Sequence, residues 1–207
     1  TPLPPHLSRT EIFGVPYVFG RADSTGGRMW VVGRNARLFD YFLPERWRKT
    51  PSLSLSDDNE VFYTVTKDNI HLVWETSRVG EFPTDSKFSP EEVAKIRLNG
   101  INSPFEEFAI SQDLNSRGIH AVYVRAIYVT GSLKIEMSVD PRRYQSHRAI
   151  VDIDGDPVLA AEHNYITIRG YYNGPDEWVP EHEDQLLTPV DLAKAVRKGI
   201  IDAAQGR

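Results

Sequence analysis

Two carboxylates stand two residues apart at Asp152 and Asp154, after the apolar run Ala149-Ile150-Val151 and before Gly155. Alternate residues of a strand face the same way. Such a pair at a strand end can present a nucleophile and an acid–base group to one site, with Mg²⁺ beside them. Asp156 continues the series with the first spacing of a calcium loop, but the sixth position is Pro157 and the twelfth is His163, where that loop needs Gly and Glu. A tight acidic hairpin turn accounts for the same residues without chemistry.

Other reactive side chains are dispersed. Glu162-His163 and Glu181-His182-Glu183-Asp184 place imidazole beside carboxylate, but without the spacing of a zinc helix. His71, His120 and His147 are isolated, and no serine sits in a nucleophile elbow. Arg142-Arg143-Tyr144 with His147 and Arg148 is the most basic stretch. It reads as an anion-holding cluster or as a solvated face.

The segment 149–155 resembles the first motif of haloacid-dehalogenase-type phosphatases. That resemblance implies a metal-dependent phosphoesterase with Asp152 as nucleophile and Asp154 as acid–base, both beside the metal. Asp156 stands where that family has Thr or Val.

Composition bounds these readings. The 207 residues carry 24 Lys plus Arg against 29 Asp plus Glu, a net charge of −5, and no cysteine. A mildly acidic chain is a poor partner for phosphate backbones, so nucleic acid is not expected. Without cysteine there is neither a thiolate zinc site nor a cysteine nucleophile. No stretch approaches the ~18 apolar residues of a membrane helix. The expectation is a soluble, cytoplasmic protein with a core of its own, its first residue Thr1 suggesting a piece of a longer chain.

The elements that must position these groups follow from pattern. Residues 1–55 read as an N-terminal extension with short strands, and 56–207 as an α+β domain. In the extension, residues to about 10 are a Pro-rich lead. Apolar runs at 13–19 and 29–32 flank the turn Ser24-Thr25-Gly26-Gly27, a hairpin. Leu38 to Leu43 is a strand or a helical turn, and Pro51 to Asn59 a polar loop. Val61–Thr66 and Ile70–Thr76 are β-branched and aromatic around Lys67-Asp68-Asn69, a second hairpin. Ser89-Pro90-Glu91-Glu92 and Ser103-Pro104-Phe105-Glu106 are both capping boxes with Pro at the first helical position. They predict helices ending near Asn99-Gly100 and Gly118. Strands follow at Ala121–Thr130, at Leu133–Val139 and at Tyr165–Tyr172, with a final helix from Thr188. The fold class is α+β, a mainly antiparallel sheet with a central helical pair and a C-terminal helix.

The order of these later elements resembles the N-lobe of protein-kinase-like and small-molecule-kinase-like folds. The carriers are the helix 103–118, with Glu107 seven residues before Leu114, and the strand Tyr123 to Tyr128 after a Gly turn. Ile166 to Gly174 resembles the fifth strand and hinge, and Asp191 to Gly199 the helix that follows. The resemblance implies a nucleotide site in which Lys95 and Glu107 form the phosphate-positioning ion pair. No Gly-rich loop, H-R-D or D-F-G motif is present, so the implied domain is incomplete or non-catalytic. The alternative is a protein-interaction domain using its 9 Phe, 9 Tyr and 4 Trp as anchors. The partner is thus a nucleotide or a protein, and no complete catalytic constellation marks an enzyme.

Overall fold

The computed structural model describes residues 3–56, 60–83, 88–119, 121–133 and 139–171. Its strands are β1 (Leu7–Ile12), β2 (Val15–Ala22), β3 (Gly27–Val32), β4 (Ser52–Ser54), β5 (Val61–Val65), β6 (His71–Thr76), β7 (Val124–Leu133) and β8 (His163–Gly170). They form one eight-stranded sheet in the order β1-β2-β3-β7-β8-β6-β5-β4. Every pairing is antiparallel. The helices are α1 (Pro44–Trp47), α2 (Pro90–Asn99), α3 (Pro104–Ser116) and α4 (Arg142–Ser146).

The β5–β6 and β2–β3 hairpins lie where β-branched and aromatic residues crowd around turn residues. The strand β1 stands where the Pro-rich lead was expected. As the edge of the sheet it is paired on one side only, and its ends Leu7 and Ile12, five residues apart, enter the two opposite cores while polar residues occupy the middle. Phe13 and Gly14 join it to β2 with φ of 51° and 76°, both positive, as the central residues of a type I′ turn must be. The short β4 likewise falls inside the expected loop at the opposite edge. It pairs with β5 across residues 55 and 56, so the strands of the expected extension and of the following domain share one sheet.

The apolar run from Leu38 resolves into two 3-10 turns, Ala36–Leu38 and Asp40–Phe42, leading into α1. Phe39, Phe42 and Trp47 from this segment cover one sheet face together with Val18, Met29, Tyr128 and Ile168. On the other face α3 delivers Phe105 and Phe108 against Tyr17, Trp30, Ile127 and Tyr165. All four of these last residues are at most 1% exposed. Among the described residues many of the large aromatic side chains are therefore core, and the exposed ones include Tyr123, Phe82 and Phe13.

Both capping boxes form. Ser89 and Ser103 accept from the backbone N–H of Glu92 and Glu106, whose carboxylates accept in return from the serine N–H. The C-terminus of α2 is closed from outside: the Arg142 guanidinium donates to the carbonyls of Ile96, Arg97 and Leu98. Arg143 donates to the carbonyls of Asn99 and Ile101 and pairs with Glu106 at 3.1 Å. The basic stretch of the sequence thus holds the α2–α3 connection. The expected final helix and most of the Leu133–Val139 strand lie outside the described residues.

Candidate functional site

Strands β6, β8 and β7 are neighbours, and α3, which lies between β6 and β7 in the chain, packs on β7 and β8. In this register Glu75 on β6 stands opposite Thr167 on β8, and Val73 opposite Arg169. Period-two alternation then points Thr167 and Arg169 away from Ile166 and Ile168, which belong to the opposite core. Arg169 reaches Glu107 of α3 at 3.0 Å and Glu75 at 3.4 Å, and Thr167 Oγ1 donates to Glu75 at 3.2 Å. The guanidinium also lies 5.7 Å from the Phe108 ring centroid, close enough for a cation–π contact.

One cation thus serves two carboxylates. Burial, reinforced by Glu75 and Glu106, outweighs Arg169 and pushes the Glu107 carboxyl up to about 7. The group therefore exchanges a proton near neutrality, which is where an acid–base group is most useful. Beside it Tyr63 Oη sits 2.6 Å from His71 Nδ1, and the Tyr63 and Tyr171 ring centroids are 4.6 Å apart.

Lys95 and Glu107 are not brought together. The capping box at Ser89 makes residues 90–99 a helix, so Lys95 lies on the exposed side of α2, and the Glu107 carboxylate goes to Arg169. Arg169 and Glu75 are the partners that sequence reasoning missed. The readable signal was an arginine directly after the run 165–168, and a glutamate near the end of the β6 run.

Asp152 and Asp154 lie in a tight turn closed by the bridge between Val151 and Pro157. Asp152 Oδ1 accepts from the N–H of Asp154 and Asp156, and Oδ2 takes Arg28 Nη1 at 2.8 Å. With its side chain 0% exposed, Asp152 is not presented as a nucleophile. Asp154 points to Arg21 at 2.6 Å. Among the described residues, no group of three or more His, Asp or Glu side chains is gathered to hold a metal. The acidic turn is built as a structural clasp, and arginines 124 and 133 positions away hold it.

His147 is also structural. It is 1% exposed, its Nε2 lies 2.7 Å from Ser103 Oγ and its Nδ1 2.9 Å from Ser146 Oγ. It fixes α4 to the N-terminus of α3, and burial holds its pKa below the usual histidine value. Comparison of the chain with family models, with curated proteins and with solved structures found no match.

Proposed function

We propose that this chain is a kinase-like N-lobe that binds a nucleotide on the sheet face beside α3 without itself completing phosphoryl transfer. The observation that carries the reading is the ion pair between Glu107 of α3 and Arg169 of β8. A helix carboxylate holding a strand cation is the device by which such a lobe steadies phosphate oxygens. Arg169 takes the place for which Lys95 was expected. Its planar guanidinium suits phosphate, and the protonation of Glu107 near neutrality lets it turn toward an arriving anion. The half-buried Val61, Val73 and Tyr171 on the same side provide apolar surface for a base.

Calorimetric titration with ATP and Mg²⁺ tests this directly. Saturable binding is expected at micromolar to millimolar nucleotide, weakened about tenfold or more by Arg169→Gln, in keeping with the loss of a charged hydrogen bond of ~1.5–3 kcal/mol. Absence of saturable heat at millimolar nucleotide would sink the reading.

A further inference from the structure

On the other side of the acidic turn the sheet has a fault. The register of β7 with β8 breaks between Val129 and Leu133, so Thr130 to Ser132 leave the ladder. Bulges of this kind re-aim side chains and recur beside binding sites. Here the gap opens on a cavity of about 240 Å³ lined in part by Arg21, Arg28, Thr130, Gly131, Asp156 and His163. Gly131 is required by the crossing of chains, since a Cβ there would collide with the Thr25 carbonyl.

Two residues that line this cavity have side-chain nitrogens without a hydrogen-bond partner among the described residues. The Arg28 side chain is only 9% exposed. Its Nη1 donates to Asp152 and to the Pro157 carbonyl, and its guanidinium carbon lies 5.4 Å from the Trp30 ring centroid. No hydrogen bond to its Nε or Nη2 is made among the described residues. His163 Nδ1 is buried and has no partner. Burial and the neighbouring Arg28 hold that imidazole below its usual pKa, against the pull of Glu162 and Asp156. It is therefore neutral at pH 7, with one ring N–H to offer.

We propose that this cavity binds a small molecule through an oxyanion, a carboxylate or a phosphate group. The Nε–Nη2 edge of a guanidinium presents two parallel N–H donors at the spacing of two such oxygens, and His163 borders the same cavity. Because Arg28 is already held by Asp152 and by Trp30, it meets a ligand preorganised, with little side-chain freedom left to lose. The cavity is smaller than the ~300–1,000 Å³ of drug-sized sites, so the occupant is a small acid and not a nucleoside triphosphate. The acidic rim at Asp156 selects against polyanions. The site does not depend on the nucleotide reading, which concerns the face beside α3.

The test is amide and side-chain NMR on the full chain, titrated separately with inorganic phosphate and with acetate against sodium chloride at matched ionic strength. Saturable shifts at Gly27, Arg28, Gly131 and His163 with either oxyanion are expected, and the stronger arm identifies the group. His163→Gln, at a half-buried position, is expected to weaken binding at least fivefold while the spectrum stays folded. Arg28→Lys, which keeps the charge but loses the fork, is expected to weaken it further. Shifts that match those of chloride, saturation centred elsewhere, or affinity indifferent to His163→Gln would each overturn the proposal. So would a crystal grown in high phosphate that shows water alone beside Arg28 in this cavity.

Discussion

Glu107 and Arg169 stand 62 residues apart in the chain and 3.0 Å apart in space, linking the helix α3 to the strand β8 that it covers. Glu75 shares the same guanidinium from the neighbouring strand. The cluster carries one positive and up to two negative charges on a partly shielded face. Its balance is therefore sensitive both to substitution and to pH.

Removing the cation should cost more than removing either carboxylate. Arg169→Gln leaves Glu75 and Glu107 facing each other, and a loss of about 1–3 kcal/mol is expected in urea unfolding. Adding Glu107→Gln should recover part of that loss, because the like-charge pair disappears. A strictly additive double variant would show that the two residues are not coupled.

The pH dependence of Glu107 has a definite sign. Its carboxyl, raised to about 7 in the folded state from an ordinary 4.5, binds a proton there that the unfolded chain has already released. Its stabilising effect is complete below pH 4.5 and is lost as pH rises through 7. Glu107→Gln should therefore gain stability relative to the parent between pH 5 and pH 8, by about 1–2 kcal/mol once solvent screening is counted. A difference that is flat with pH would show an ordinary Glu107.

His147 acts in the opposite direction. Its depressed pKa means that the unfolded chain takes up a proton that the folded chain refuses. Stability is then complete above the unfolded value of ~6.5 and falls as pH drops below it, toward the folded pKa. Ser103→Ala removes both an N-cap of α3 and the partner of His147 Nε2. Its expected cost is ~1–3 kcal/mol in thermal or chemical unfolding.

The buried clasp between Arg28 and Asp152 should be the most costly of these contacts to break. Asp152→Ala strands Arg28 in the interior and leaves the N–H groups of Asp154 and Asp156 without their acceptor. A loss of ~3–5 kcal/mol is expected in urea unfolding. Asp154→Ala removes only an exposed pair with Arg21 and should cost under ~1 kcal/mol. Equal effects would contradict the clasp.

Both capping boxes were legible because each is a local code: four residues state the cap, the first turn and the reciprocal bond. The β5–β6 hairpin was legible for the same reason, through β-branched runs around a short turn. The edge strand β1 was not, since only its end residues Leu7 and Ile12 are buried and the polar residues between them look like loop. The acidic turn at 152–156 was visible as a turn, but whether its carboxylates would be open or clasped was not.

Local patterning, acting through backbone conformation within a few residues, determined which segments of this protein are helix and which are hairpin. It also made Lys95 a helical residue, against the role its neighbours suggested. Tertiary structure alone decided the ionic partners. Arg169 meets Glu107, and Arg28 meets Asp152, because sheet register and helix packing bring together residues separated by 62 and 124 positions. Charges attract at any sequence separation, so no spacing rule along the chain encodes which carboxylate each arginine will find.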